Sequence, residues 1–203
     1  MPSLRDRKRA RTRQALIDAA VELFERDGYD ETTIADIAAA ADISPRTFFG
    51  YFAGKEDLLF TDADARVQAA LEAIEQRRPD ERPDDVLLRT YREGSGFGED
   101  MVGRTAQLRL RLVRTVPALR GRALQIQLDG QAEIARKLHA AFPDELNEVE
   151  AAALVGAFAG AITGALQVLL RDSEPDVDTV RQRLGQAAAV ALRPWAPTPQ
   201  TGH

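Results

Sequence analysis

Apolar residues recur at three- and four-residue steps along most of the chain and nowhere alternate over a stretch bounded as a strand would be. The pattern predicts an all-α protein of about nine helices. Leu16, Ile17, Ala20, Val21, Leu23 and Phe24 mark an amphipathic helix from about Thr12 to Arg26, which Asp27 and Gly28 stop. Ile34, Ile37, Ala38 and Ala41 predict a short helix with Thr33 as its cap. Asp42 falls where the chain must reverse, and aspartate tolerates left-handed backbone geometry better than most residues. Ser44 then caps a new helix whose first position is Pro45, where a missing N–H costs nothing. Phe48 and Phe52, four apart, point into a small core with Ile37, Ile43 and Leu58, leaving Phe49 and Tyr51 nearer the outer surface.

A helix, a tight turn and a second helix at a steep angle form the unit that lays its second helix in the DNA major groove. Arg46 and Thr47 occupy the first turn of that second helix, where base edges are reached. The spacing alone fits a plain helical hairpin equally well. Charge adds to the picture. The chain carries −5 overall, yet its first fourteen residues hold Arg5, Arg7, Lys8, Arg9, Arg11 and Arg13 against Asp6 alone. A basic arm on an acidic body suits phosphate contact at one end, with a solubilising tail as the alternative.

Downstream, a helix is expected to open at Lys55-Glu56-Asp57 and run to about Arg78, a continuous rod of roughly 35 Å. Pro79 and Pro83 end it and start a helix with Val86, Leu87, Leu88 and Tyr91. The glycine-rich run from Gly94 to Asp100 lacks the preceding strand of a nucleotide loop and is read as a connection. In the next helix, from about Asp100 to Arg114, Arg104, Arg109, Arg111 and Arg114 are candidates to pair with an acidic ligand, with Tyr91 beside them. Surface pairing with nearby carboxylates is the alternative. A long helix from Pro117 to about Phe142 follows, with His139 near its end.

Between Glu145 and Arg171, Gly156, Gly160 and Gly164 recur every fourth residue with Ala161 among them. Each glycine costs a helix about 1 kcal/mol relative to alanine, so the stripe implies a closely approaching helix. With a last helix from about Asp176 to Leu192, carrying Leu184 and Ala188, it predicts a four-helix bundle across a two-fold axis; burial within one subunit is the alternative. The tail from residue 194 is expected to be poorly ordered.

The composition narrows the chemistry. There is no cysteine, and His139 and His203 are the only histidines, which argues against thiol chemistry, disulfides and the usual zinc sites. Neither a metal nor a cofactor is expected. No catalytic constellation stands out, so an enzyme is not expected. No apolar run is expected to reach the ~18 residues of a membrane span, and the amino terminus has no apolar signal core, so a cytoplasmic protein without a membrane partner is expected.

The stretch from Gly28 to Leu59, GYDETTIADIAAAADISPRTFFGYFAGKEDLL, resembles the DNA-binding signature of the TetR family of bacterial transcriptional regulators. The likeness rests on Gly-Tyr before paired threonines, Ile-Ala in the first motif helix, Ser-Pro-Arg-Thr opening the second, and Tyr-Phe followed by Lys-Glu-Asp-Leu. Asp42 departs from a frequent glycine, and Phe49 from a frequent tyrosine. The resemblance implies a basic arm at 1–8, a three-helix DNA-binding domain at 9–69 with its motif at about 32–51, and a ligand-binding and dimerisation domain at 70–193. It implies a homodimeric repressor that binds a palindromic double-stranded operator and is released by a small molecule. Arg46 and Thr47 would specify bases, Phe49 would make apolar contact with a thymine methyl or sugar, and Ser44 and Pro45 would also belong to the DNA-binding surface. Thr33, Tyr51, Arg11, Arg13 and Lys55 would hold phosphates, the role the family gives the matching lysine. The rival is a helical ligand-binding or scaffolding dimer that no longer reads DNA.

Overall fold

The computed structural model describes residues 3–61, 63–92, 103–170 and 176–193, with the backbone alone for 91 and 92. Nine α-helices and one 3-10 helix, and no strand, occur among the described residues. They form two compact units, Met1–Thr61 with Gly103–Ala123, and Asp62–Val102 with Leu124–His203. Residues 103–123, expected in the ligand-binding part, therefore cluster with the amino-terminal helices.

In the first unit, α1 (Leu4–Arg26) starts well before Thr12, because Ser3 and Asp6 form a capping box. The expected arm is thus helical from Leu4. Asp27 ends the helix, and Gly28 follows at φ +93°, a conformation that glycine adopts without strain. The buried Thr32 hydroxyl donates to the Gly28 carbonyl at 2.7 Å, bracing this loop. α2 (Ile34–Ala40) and α3 (Pro45–Phe48) follow, capped by Thr33 and Ser44 as their sequence predicts. α3 has a single turn; tighter bonds then carry the chain on, Gly50 donating to the Thr47 carbonyl and Tyr51 to that of Phe48.

The expected rod does not form. Lys55–Leu59 is a separate 3-10 helix, and α4 (Ala63–Glu75) belongs to the second unit. Leu58 and Leu59 are both buried in the first unit's core, and the Arg109 guanidinium takes the Leu59 carbonyl at 3.0 Å, so that carbonyl has a side-chain donor in place of a following helical turn. Arg122 further donates to the Asp57 carboxylate at 3.1 Å. These two arginines come from α6 (Arg104–Thr115) and the start of α7 (Pro117–Ala141). The core gathers Leu16, Ile37, Phe48, Leu58 and Leu59 with Leu108 and Leu119 from those helices.

The second unit contains α4, α5 (Pro83–Arg92), the rest of α7, α8 (Glu148–Leu169) and α9 (Val177–Leu192). Its core holds Ile74, Leu87, Leu138, Phe142 and Leu154, with a neighbouring cluster of Ile162, Val180, Leu184 and Ala188 between α8 and α9. Gly130 on α7 lets α4 approach closely, for a Cβ there would stand 2.8 Å from Val67 Cγ2. Arg89 holds Glu81 by two hydrogen bonds, 2.6 and 3.1 Å, and donates to the Ala73 carbonyl at 2.8 Å, joining α5 to α4. Burial pushes the Glu81 carboxyl up, but the donors from Arg89 and the Arg78 amide prevail and hold it below its ordinary range. The half-buried His139 meets the Leu146 carbonyl at 2.8 Å.

Candidate nucleic-acid interface

Three short-range devices set the α2–α3 geometry. The Thr33 hydroxyl accepts from the Asp36 amide, and the Thr33 hydroxyl and amide donate to the Asp36 carboxylate, which holds that carboxyl below its ordinary range. At the far end, Ile43 N–H donates to the Ala38 carbonyl at 2.9 Å and Asp42 N–H to that of Ala39 at 3.1 Å, a Schellman closure. Asp42 supplies its left-handed residue at φ 55°. Ser44 then caps α3, its hydroxyl accepting from the Thr47 amide at 3.1 Å and lying 2.8 Å from the Thr47 hydroxyl.

The outcome is a one-turn helix with an outward face. Ser44, Pro45, Arg46, Thr47 and Phe49 are exposed, Phe49 to 59%. The Arg46 side chain has no hydrogen bond or ion pair among the described residues. Phe48 is fully buried beneath, with Phe49 packed edge-on against it at 5.6 Å between ring centroids. Phe49 thus has a fixed ring and an open face, suited to apolar contact with a thymine methyl or a sugar.

Basic residues of α1 flank this helix. Arg9 donates to the Gly50 carbonyl at 3.1 Å and lies over the half-buried Tyr51 ring at 5.2 Å, while Arg13 lies over the Phe52 ring at 5.1 Å. Four residues apart on α1, they stack on successive aromatics past the end of α3. Arg5, Arg7, Lys8 and Arg11 are exposed and form no ion pair among the described residues. In the sequence Arg9 shows only as part of the basic arm, and its four-residue spacing from Arg13 is the sign of a shared packing face.

Two expected phosphate contacts are otherwise engaged. Both donors of Thr33 are directed to Asp36, a carboxylate that repels phosphate. The Lys55 ammonium donates to the Tyr29 carbonyl at 2.6 Å and the Thr32 carbonyl at 2.9 Å, and is 3.5 Å from that of Asp30. It also stands 4.3 Å from the Tyr29 ring centre. Burial, then the charges of Glu56, Asp30 and Asp57, pushes the Tyr29 hydroxyl up to about 12, so the ring stays neutral.

The arginines proposed to line a ligand cavity do not gather in one. Arg104 and Arg111 reach back to one carboxylate, Glu25 on α1, at 2.6 and 3.1 Å, because a seven-residue step returns to the same face of α6. Arg109 holds the Leu59 carbonyl, and Arg114 is exposed. All four belong to the first unit. The Tyr91 side chain, the 94–100 run and the tail lie outside the described residues. The second unit instead has an open trough of about 500 Å³ along α5 and α9, lined by Leu88, Arg181, Gln182, Gly185 and Ala189 among others.

The glycine stripe of α8 is uncovered: a Cβ at Gly156, Gly160 or Gly164 would meet nothing within 4 Å. Ala161 is half-buried, but Leu184 and Ala188, expected at the subunit seam, lie in the core between α8 and α9. Within the chain, the apolar side of α9 that helical spacing marks packs against α8. α8 is also long and apolar enough to cross a membrane by length and composition, contrary to the expectation, since glycine, alanine and threonine lengthen its apolar run.

Residues 16–61 match the profile of the bacterial regulatory proteins of the tetR family. Over 140 residues, 66% of the chain, it is 36% identical to the HTH-type transcriptional regulator TcmR of Streptomyces glaucescens. The match of residues 16–61 and the similarity to TcmR indicate the tetR family. The match to TcmR covers 62% of that protein, so the chain spans less than two thirds of the length of the curated relatives it matches. In fold, the chain is similar to a TetR-family regulator from Syntrophomonas wolfei, with TM-score 0.60 and 18% identity over 91% of this chain and 96% of that one. It is similar also to Thermus thermophilus FadR, crystallised with lauroyl-CoA, with TM-score 0.58 and 22% identity over 94% of this chain and 100% of that one.

Proposed function

We propose that the protein is a DNA-binding transcriptional repressor that binds a palindromic operator as a homodimer and is released by a small molecule. The observation that carries this reading is the exposed face of α3, where Arg46, Thr47 and Phe49 project from a turn fixed at both ends. Arg46 reads a base edge, with Thr47 and Phe49 adding apolar contact to a thymine methyl. Ser44 and Pro45 bring the α3 amino terminus against the backbone, and Tyr51, Arg11 and Arg13 hold phosphates together with the other α1 cations.

Dimerisation uses the bare stripe of α8, which a second copy covers across a two-fold axis. Its apolar surface is then buried between subunits rather than in a bilayer. Two amino-terminal units read half-sites one helical turn apart, ~34–36 Å, or a multiple of it. An effector held by the second unit releases DNA through its different affinity for the bound and released states.

A gel-shift titration against the DNA flanking the gene tests the reading. Saturable binding that weakens steeply from 50 to 200 mM salt is expected. Binding with no salt dependence, or none to any flanking fragment, contradicts it.

A further inference from the structure

The Lys55 ammonium, at the head of the 3-10 helix, reaches back across 26 residues to the loop before α2. Its donors meet the Tyr29 and Thr32 carbonyls at 2.6 and 2.9 Å, and its charge faces the Tyr29 ring. The Thr32 carbonyl immediately precedes Thr33, the cap of α2. Lys55 itself follows the Tyr51–Gly54 segment that leaves α3. One side chain therefore joins the segment before the helix-turn-helix to the segment after it. The Tyr29 ring is anchored in turn against Phe24 of α1, 5.0 Å between centroids. An ammonium has three N–H donors; two are directed at close carbonyls, and the third faces Asp30 O at 3.5 Å or the ring.

We infer that Lys55 is a positioning residue for DNA readout, which fixes where α2 begins relative to where α3 ends and touches no phosphate itself. This rests on the reading of the protein as a DNA-binding regulator. Without the clasp, the two ends of the motif lose this tie, and α3 loses its set angle to the groove. A specific complex needs α3 in register with base edges, whereas a non-specific complex needs only the cations near phosphates. The two roles open to this lysine therefore leave different traces. Loss of a phosphate contact weakens binding to all sequences alike and lowers the salt slope by about one; loss of positioning weakens the specific complex preferentially and leaves the slope unchanged.

The test compares wild type, Lys55→Met and Lys55→Arg on two probes: the duplex that wild type enriches from a random pool, and the same duplex with its sequence scrambled. Thermal melts first set a temperature at which all three proteins are folded. For Lys55→Met, a loss of tenfold or more on the enriched duplex is expected, with less than a twofold loss on the scrambled one. The slope of log K against log salt should be unchanged, and amide exchange should quicken over residues 29–36. Lys55→Arg, whose fork matches the two carbonyls poorly, should fall between. Equal losses on both probes with a slope lower by about one per subunit would make Lys55 a phosphate contact and overturn the inference. Unchanged affinity would also overturn it. Equal losses with an unchanged slope, the mark of a smaller folded fraction, would do the same. Failure of wild type to enrich any duplex would instead refute the DNA-binding reading beneath it.

Discussion

The Ile43 amide donates to the Ala38 carbonyl at 2.9 Å across a turn whose apex, Asp42, is at φ 55°. That bond closes α2 and sets the direction in which α3 starts, so the outward face of Arg46 and Thr47 depends on a backbone conformation that most side chains disfavour.

Asp42→Gly should therefore stabilise the protein by about 0.5–1 kcal/mol, since the relief of left-handed strain exceeds the added freedom of the unfolded chain. Asp42→Val should cost about 1–2 kcal/mol. Urea midpoints of the two variants check this; a valine variant as stable as wild type would mean the turn adopts another geometry.

Arg46→Ala should relax preference at one base pair in each half-site, losing about 1–3 kcal/mol of discrimination there. The salt slope should stay near that of wild type. Arg11→Gln should do the converse, lowering the slope by about one per subunit with sequence preference intact. Sequenced selections and salt titrations separate the two outcomes.

The helix-turn-helix is the part most legible in the sequence, because its determinants are local. The caps at Thr33 and Ser44, the proline at the first position of α3 and the chain reversal at Asp42 are each decided by residues a few positions apart. The 3-10 helix is not legible: Lys55-Glu56-Asp57 is a good helix start, and the donor that meets the Leu59 carbonyl at its end, Arg109, is fifty residues away. The same holds for Lys55, whose partners at Tyr29 and Thr32 are distant in sequence. The α6 arginines show the limit from the other side: surface pairing is open to them as an alternative, but the sequence does not say that Glu25 of α1 stands opposite Arg104 and Arg111.

Acid should weaken the second unit through Glu81. Its folded carboxyl titrates below the unfolded one, so its contribution is present above the unfolded value and is lost as pH falls through the folded value. Glu81→Gln should remove this part of the acid dependence. Arg89→Met, which leaves the half-buried Glu81 with the Arg78 amide as a remaining donor, should cost about 1–3 kcal/mol at neutral pH. Denaturation series from pH 7 to pH 3 distinguish the variants.

Gly160→Leu should leave each chain folded, because nothing lies within 4 Å of an added Cβ, while blocking close approach of a second α8. Light scattering should give a dimer for wild type and a monomer for the variant at the same concentration, with matching far-UV circular dichroism. A variant that remains dimeric would move the seam elsewhere.

Selection of the full-length protein against a random duplex pool, followed by sequencing, tests the central claim most directly. Enrichment of a palindrome with half-site centres 10–10.5 base pairs apart or a multiple of that spacing is expected, with Arg46→Ala losing preference at one position per half. A folded wild-type protein that enriches no sequence above the input pool would contradict it.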